Sequence, residues 1–318
     1  MFDRPGVYTS EEIFELTEAP SSLAIVGGGV IGLEMAGVFE ALGSKVTVIE
    51  KLPRILASED AELSQELVRN YRKVRFMTET AVESLEGEAG QLKLSLSTPE
   101  GLAELEVAAV LLAVGRKPNL PAGAGELGLE LNARGGLKVD ANMRTSCANV
   151  YAVGDVTGEY TLAYVAAREA EAAVWDILGH SHPVDYAHIP SIVFTQPEIA
   201  SVGDLPQGLE LKSGSFPVTA LGRARTMEAS TGAAKVYVDE KDRLRRVSLM
   251  GPNVTELVSW ASLAVEQGLT LAEFLKPCYP HPTMAEMLKE AAEDARGLCL
   301  NSVPGGSSTK AYLASCRA

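Results

Sequence analysis

The chain has 318 residues, which at about 150 residues per domain predicts two or three domains. Its 28 Lys and Arg residues are outnumbered by 42 Asp and Glu residues, and the net charge of −14 argues against a nucleic-acid partner, because polyanions bind to large basic surfaces. The longest apolar stretch, residues 23–33, is rich in glycine and is followed by Glu34, so it cannot span a bilayer. The first twelve residues lack the features of a secretory signal, and we therefore expect a cytoplasmic protein without a membrane partner.

The first third of the chain predicts an α/β domain. Residues 23–26 are typical of a strand that ends in glycines, 32–42 carry the apolar stripe of a helix, and 45–49 are β-branched. The order strand, glycine turn, helix, strand indicates a βαβ unit with a parallel sheet. Further elements of this domain are a helix at 60–73 and strands around Glu83, at 92–97 and at 107–114.

The remainder predicts a small segment followed by a domain of antiparallel strands. An edge strand at 137–139, a buried strand at 150–153 and an alanine-rich helix at 162–178 make a piece too small to be stable alone. After His188 we predict strands at 192–194, 200–202, 211–218, 234–238 and 244–250, and helices at 253–267, 271–275 and 284–296.

The cysteines and histidines do not form a metal motif. The four cysteines, at 147, 278, 299 and 316, include no CxxC pair, and the histidines at 180, 182, 188 and 281 have no zinc-binding spacing. No metal is therefore predicted.

The strongest local motif is Gly27-x-Gly29-x-x-Gly32, which lies between the first predicted strand and helix. The first glycine permits a tight turn, the second lets a pyrophosphate approach the backbone, and the third lets helix and strand pack closely. Glu50 ends the next strand 23 residues after Gly27, where an acid binds a ribose 2′-hydroxyl. We therefore predict a dinucleotide site that favours NAD over NADP. The nearby bases Lys51 and Arg54 weaken this preference, because either could pair with a 2′-phosphate.

Five segments follow one another along the chain. They are IVGGGVIGLEMAGVFEALGSKVTVIE (25–50), AVGRKPN (113–119), VYAVGDVTG (150–158), IPSIVFTQPEIASVG (189–203) and HPTMAE (281–286). In this order they resemble the flavin-dependent pyridine nucleotide–disulfide oxidoreductases, and among them the dihydrolipoamide dehydrogenases. The resemblance implies a Rossmann-like NAD-binding domain (1–118), the C-terminal part of an FAD-binding domain (119–187), an α+β dimerisation domain with an antiparallel sheet (188–300) and a flexible tail (301–318).

The same resemblance implies two sets of cofactor-binding residues. NAD is expected at Gly27, Gly28, Gly29, Val30, Ile31, Gly32, Glu34, Glu50 and Val82. FAD is expected at Gly154, Asp155, Thr161, Leu162, Ala163 and Tyr164, and Gly115 belongs to the motif expected to close against the nucleotides. Asp155 would accept a ribityl hydroxyl, and residues 161–164 would lie near the flavin ring, where the family commonly has a histidine in place of Tyr164.

His281 and Glu286 correspond to the family's catalytic acid–base pair. An imidazole exchanges a proton near neutral pH, and a carboxylate on its other nitrogen would fix the tautomer. From the residues alone, Thr283-x-x-Glu286 is also a capping box, in which Glu286 reaches the N-cap amide of the last helix. Both roles of Glu286 remain open at this stage.

The family's first FAD-binding strand–GxGxxG–helix unit and its CxxxxC redox pair have no counterpart in the sequence, where no two cysteines lie five apart. We therefore expect an enzyme that is incomplete on its own and binds FAD only if a separate chain supplies the missing half. A homodimer and a disulfide substrate such as lipoamide are expected by resemblance. The alternatives are a non-catalytic, dimerising NAD-binding module or a truncated vestige and, within the family, a relative of mercuric or glutathione reductase.

Overall fold

The computed structural model describes residues 4–205 and 211–301. The chain forms two compact units: one combines the residues up to Val114 with those from Pro190 onward, and the other runs from Gly115 to Ile189. The four-part domain division expected above stays a prediction, and its tail lies outside the described residues except for Asn301.

The N-terminal part of the first unit is built on a parallel sheet. In chain order it contains β1 (Val7–Tyr8), β2 (Ser22–Val26), α1 (Val30–Ala41), β3 (Lys45–Ile49), α2 (Ala61–Asn70), β4 (Arg75–Met77), β5 (Ala81–Glu88), β6 (Gln91–Thr98), β7 (Gly101–Val107) and β8 (Ala109–Leu112). The order β1-β8-β2-β3-β4 is parallel throughout, and β5, β6 and β7 form a separate antiparallel sheet. Strands of parallel sheets are covered on both faces, and Leu23, Ala24 and Ile25 are accordingly fully buried. The predicted βαβ unit is confirmed.

The two helices of this part differ slightly from their predicted ranges. Helix α1 begins at Val30, directly after the glycine turn. Helix α2 begins at Ala61 because the Asp60 side chain accepts hydrogen bonds from two amides of the first turn. It ends three residues earlier than predicted, since Tyr71 leaves the helical conformation and its ring stacks on Phe76.

The second unit has little regular structure besides α3 (Ala163–Ile177). The strands predicted at 137–139 and 150–153 are wrong: these segments form only the isolated bridges Leu131–Leu137 and Arg144–Tyr151, because neither has a continuous partner strand in the unit. One face of α3 is buried. Its opposite face exposes several large apolar side chains, namely Val174, Trp175, Ile177 and Leu178.

The C-terminal part of the first unit is an antiparallel sheet covered by helices. It contains β9 (Ser191–Val193), β10 (Glu198–Gly203), β11 (Lys212–Pro217), α4 (Gly222–Thr226), β12 (Ala233–Val238), β13 (Leu244–Gly251), α5 (Val254–Glu266), α6 (Leu271–Phe274) and α7 (Glu286–Ala295). We call the sheet, ordered β11-β12-β13-β10-β9, the C-terminal sheet. Phe216, Phe274 and Met287 belong to its buried core. The predicted combination of a parallel and an antiparallel layer is confirmed.

The two parts of the first unit share an apolar core. Val193, Ile199 and Met250 of the C-terminal sheet lie in one buried cluster with Leu33 and Ala36 of α1. The helix that follows the glycine turn is therefore packed against the C-terminal sheet. Among the described residues, no helix has both the length and the apolar character needed to cross a membrane.

Candidate functional site

The glycine motif forms the turn between β2 and α1. Gly27 has φ +115°, a conformation that side chains disfavour, and its N–H donates to the carbonyl of Ile49 at 2.8 Å. A Cβ on Gly27 would lie 2.3 Å from the carbonyl oxygen of Ala113, and one on Gly32 would lie 2.0 Å from that of Gly27. Close backbone packing therefore requires glycine at both positions.

Gly29 differs from these two glycines because no packing accounts for it. Its φ of −82° suits any residue, and a Cβ there would meet no atom within 4 Å. Gly29 is also the N-cap of α1, which no side chain caps. The open space lies at the positive end of a 12-residue helix, so an anion can approach its amides.

Glu50 is fixed against the glycine turn. The Gly28 N–H donates to its Oε2 and the Leu52 N–H to its Oε1, each at 2.7 Å. The carboxylate is thus held at the turn, and each oxygen retains acceptor capacity for a hydroxyl. Arg54, one of the two bases that follow Glu50 in sequence, donates to the carbonyls of Leu56 and Ala57. That arrangement favours a ribose hydroxyl over a 2′-phosphate beside Glu50.

The other residues expected to contact NAD lie around this turn or in the sheet beside it. Val30 and Ile31 are in the first turn of α1 and partly exposed. The Glu34 carboxylate accepts a hydrogen bond from the Phe194 N–H at 2.9 Å, so it also connects α1 to the C-terminal sheet. Val82 is half-buried in β5.

The residues expected to contact FAD from Gly154 onward form a turn followed by α3. Gly154 has φ +73°, and its N–H donates to the buried Glu169 carboxylate at 2.6 Å. Asp155 is half-exposed and forms a 3.1 Å ion pair with Arg116. Sequence reasoning missed both partners: Glu169 belongs to none of the five segments, and Arg116 lies within AVGRKPN but was assigned no contact.

The remaining FAD positions are accessible. Gly115 has φ +119° and is exposed. Leu162 is the N-cap of α3 and half-buried. The others at the start of the helix are exposed: Thr161, Ala163 and Tyr164.

The second unit offers only part of a dinucleotide site. The residues Gly123-Ala124-Gly125-Glu126-Leu127-Gly128 spell a further GxGxxG, but residues 122–128 are turns that open no α-helix. The structure thus offers a carboxylate and a glycine turn at 154–155 for FAD, without a GxGxxG turn that opens a helix among the described residues of this unit. No cluster of three potential metal ligands occurs in the described ranges.

His281 and Glu286 meet at the start of α7. The His281 Nδ1 lies 2.9 Å from Glu286 Oε1, and the Thr283 N–H donates to Glu286 Oε2 at 2.9 Å. The imidazole is exposed, whereas the carboxylate is largely buried. The Thr283 hydroxyl bonds to the Pro280 carbonyl and the N-cap is Ala285, so only half of the capping box forms. One oxygen of Glu286 orients the histidine while the other holds the preceding loop.

The parallel sheet with its glycine turn and anchored acid defines a Rossmann-like dinucleotide-binding protein. The model of the pyridine nucleotide-disulphide oxidoreductase family matches residues 2–170, and the model of that family's dimerisation domain matches residues 189–292. The chain therefore belongs to the pyridine nucleotide-disulphide oxidoreductase family. Proteins of this family use FAD and NAD(P).

Individual relatives agree with this assignment. The chain is 36% identical over 297 residues to a dihydrolipoyl dehydrogenase of Chlamydia muridarum, covering 91% of this chain and 63% of the relative. For a dihydrolipoyl dehydrogenase of Vibrio parahaemolyticus the identity is 35% over 302 residues, with 92% and 64% covered. The solved HOCl-induced flavoprotein disulfide reductase RclA from Escherichia coli superposes with a TM-score of 0.84 at 29% identity, covering 91% of this chain and 68% of that one. The chain thus spans less than two thirds of the curated relatives it matches.

Proposed function

We propose that this chain supplies three parts of a disulfide oxidoreductase resembling dihydrolipoyl dehydrogenase. They are the NAD(H)-binding domain, the C-terminal part of the FAD-binding domain and the dimerisation domain. The observation that carries the proposal is the glycine turn, where Gly29 leaves an unfilled space at a helix N-terminus that no side chain caps. The Glu50 carboxylate is fixed on the adjacent Gly28 N–H. His281 and Glu286 on the same chain add an acid–base pair suited to a thiol.

The residues of the turn would bind NAD(H) by three contacts. The amides at the start of α1 would bind the pyrophosphate, and the bare Cα of Gly29 would let it come close. Glu50 would accept the 2′-hydroxyl of the adenosine ribose, and its negative charge would repel a 2′-phosphate. When bound, NAD(H) carries the hydride and FAD relays electrons to a disulfide; this chain's contribution at the turn is binding and orientation.

The acid–base pair would handle the proton of the dithiol substrate. Because His281 Nδ1 is bonded to Glu286, the Nε2 atom is the one that would exchange a proton with a thiol. Glu286 would stabilise the imidazolium and keep the ring oriented. In the family such a histidine serves the neighbouring subunit, so we propose a homodimer formed through the C-terminal sheet and its helices.

The redox disulfide would come from outside these 318 residues, because no two cysteines of the sequence lie five apart. The same holds for the glycine turn that binds the FAD pyrophosphate. We propose that another polypeptide segment supplies both, with a disulfide such as lipoamide as substrate. A cytoplasmic location stays a prediction.

A second function, a dimerising NAD-binding module without redox turnover, is favoured by one observation, the lack of that cysteine pair. Within the family, a mercuric or glutathione reductase is less well supported. A mercuric reductase would have two adjacent cysteines near its C-terminus, whereas Cys299 and Cys316 are not adjacent. A glutathione reductase would need arginines for a 2′-phosphate, whereas Arg54 donates to loop carbonyls.

Titration of the purified chain with NADH and NADPH tests the proposal. We expect NADH to bind more tightly, and Glu50→Ala to weaken NADH binding and narrow the difference between the two. Glu66→Ala, which removes an exposed carboxylate on α2, is the matched control and should change neither affinity. Equal binding of NADPH by the unmodified chain would contradict the role of Glu50, and no binding of either would contradict the proposed function.

A further inference from the structure

Residues 51–60, which we call the β3–α2 loop, form one wall of the glycine turn. The Leu56 N–H donates to the Gly28 carbonyl at 3.0 Å. A Cβ on Gly28 would lie 2.9 Å from Ile55 Cγ2, so the loop packs directly on the turn. Ile55 and Leu56 are buried, and Glu50 immediately precedes the loop. The position of this loop therefore affects the shape of the turn and the placement of the Glu50 side chain, which the Leu52 N–H holds.

The loop has no regular secondary structure to keep it in place. Leu56 has φ +44°, a left-handed conformation that costs free energy for a residue with a side chain. Arg54 donates to the carbonyls of Leu56 and Ala57 within the loop, and to Ser64 Oγ of α2 at 3.2 Å. Support from outside the loop is needed to hold such a conformation.

Besides Ser64 of α2, the C-terminal sheet provides such support at the far end of the loop. The Glu59 Oε2 accepts hydrogen bonds from Ser201 Oγ at 2.7 Å and from Arg246 Nη2 at 3.1 Å. The same guanidinium donates to the Gly203 carbonyl and to the Ser248 hydroxyl, each at 3.0 Å. With a further bond to Ser201 Oγ at 3.2 Å, Arg246 makes three hydrogen bonds within its own sheet.

The next residue of the loop makes a second connection to the same sheet. The Asp60 carboxylate pairs with Lys235 Nζ at 3.1 Å and accepts a hydrogen bond from the Tyr237 hydroxyl. Its Oδ1 also caps α2. We call Glu59, Asp60, Lys235 and Arg246 the ionic anchor; each is at most 8% exposed.

Buried ion pairs of this kind add little net stability compared with apolar packing, because both partners lose their hydration. What such pairs do well is fix geometry, since a displaced partner leaves a charge buried without compensation. In the ionic anchor, two adjacent acids of the loop meet two bases held by neighbouring strands of the C-terminal sheet. Displacement of the loop's far end is therefore strongly opposed.

We propose that the ionic anchor makes Arg246 and Lys235 positioning residues for dinucleotide binding. By holding the far end of the β3–α2 loop, they keep Glu50 and the Gly28 backbone in the geometry that binds the ribose and the pyrophosphate. The inference rests on the proposed binding of NAD(H) at the glycine turn. It assigns the C-terminal sheet a role in cofactor binding in addition to dimerisation.

Two variants at the anchor test this, with NADH as the probe and the full chain as the protein. Glu59→Gln/Arg246→Met removes one charge pair at similar volume. We expect its Kd for NADH to rise about 10-fold, which is the effect of losing one hydrogen bond to the ribose or the pyrophosphate. Arg246→Lys keeps the charge but loses the forked contacts, and we expect an intermediate Kd. All titrations are run at a temperature where circular dichroism shows each variant to be folded.

The matched control is Glu290→Gln. Glu290 is a buried carboxylate of α7 that accepts hydrogen bonds from Lys289 and Asn301, within the same part of the chain. This variant should lose stability and still bind NADH as the unmodified chain does. A rise in its Kd equal to that of the double variant would overturn the inference, because general loosening would then explain both.

The rate of tryptic cleavage after Lys51 and Arg54, measured by peptide mass, reports how firmly the loop is held and does not depend on NADH. We expect faster cleavage there in the double variant than in the Glu290→Gln control. Unchanged cleavage together with unchanged NADH affinity overturns the inference. If the unmodified chain does not bind NADH, the proposed function fails, and the cleavage rates alone then decide whether the anchor positions the loop.

Discussion

Comparing Gly29→Ala with Gly32→Ala distinguishes a glycine that ligand binding requires from one that the fold requires. The methyl group added at Gly29 would meet no protein atom within 4 Å, and the local φ of −82° suits alanine. Stability should change little, because the gain of about 0.4–1 kcal/mol from a less flexible unfolded chain is offset by a similar loss of N-cap preference. Binding should suffer, because the methyl group occupies the space through which the pyrophosphate reaches the α1 amides.

The loss of affinity can be estimated from the contacts at risk. One charge-assisted hydrogen bond contributes about 1.5–3 kcal/mol, which corresponds to a rise in the NADH Kd of about 10- to 150-fold. Gly32→Ala is the matched comparison: its Cβ would lie 2.0 Å from the Gly27 carbonyl oxygen, so the turn must shift. Overpacking of this kind costs about 1–3 kcal/mol, and stability and binding should fall together.

Urea unfolding and NADH fluorescence titration of both variants provide the two readouts. We expect Gly29→Ala to keep the unfolding midpoint and lose affinity, and Gly32→Ala to lose both. A Gly29→Ala variant that binds NADH as tightly as the unmodified chain would refute the assignment of the open space to the pyrophosphate.

Two further predictions follow from ionisable groups. Burial raises the pKa of Asp60, but the Tyr237 hydrogen bond and the Lys235 charge together outweigh it and leave the pKa below its usual 3.8. The stabilisation by Asp60 is therefore present above its unfolded-state pKa and is lost as pH falls through the lower pKa of the folded state. In urea unfolding, the free energy of unfolding should fall less with acid for Asp60→Asn than for the unmodified chain. Equal dependence of the unfolding free energy on pH would contradict the pairing. Burial and the neighbouring Glu290 carboxylate raise the pKa of Cys299 to about 12. At mildly alkaline pH, iodoacetamide should therefore modify the exposed Cys278 well before Cys299, as measured by peptide mass. Equal rates of modification would contradict the burial of Cys299.

The parallel layer and its turn could be predicted from sequence because their signals are local. The β-branched run at 45–49 and the spacing of Gly27, Gly29 and Gly32 determine strand, turn and helix within 30 residues. The segment at 150–153 carries the same kind of apolar signal, yet it forms no strand, since β-structure requires a partner that the second unit does not supply.

The ionic anchor had no signal in the sequence. Glu59 and Arg246 are 187 residues apart, and isolated acids and bases are normally interpreted as solvated surface charges. The engagement of Arg54 by loop carbonyls was equally invisible, because it depends on the path of the loop. His281 and Glu286 are five residues apart at the start of a helix, and the resemblance to the family was what predicted that they pair. Without it, the sequence indicated a capping box for Glu286.

Reconstitution tests the central claim most directly. The purified chain is mixed with FAD and a polypeptide that carries a glycine-turn FAD site and a CxxxxC pair, and NADH-dependent reduction of lipoamide is followed. We predict flavin retention and turnover in the mixture and neither in the chain alone, with His281→Ala slowing turnover by about 10²–10⁴-fold. Lipoamide reduction by this chain alone, or turnover in the mixture that is unchanged by His281→Ala, would contradict the account.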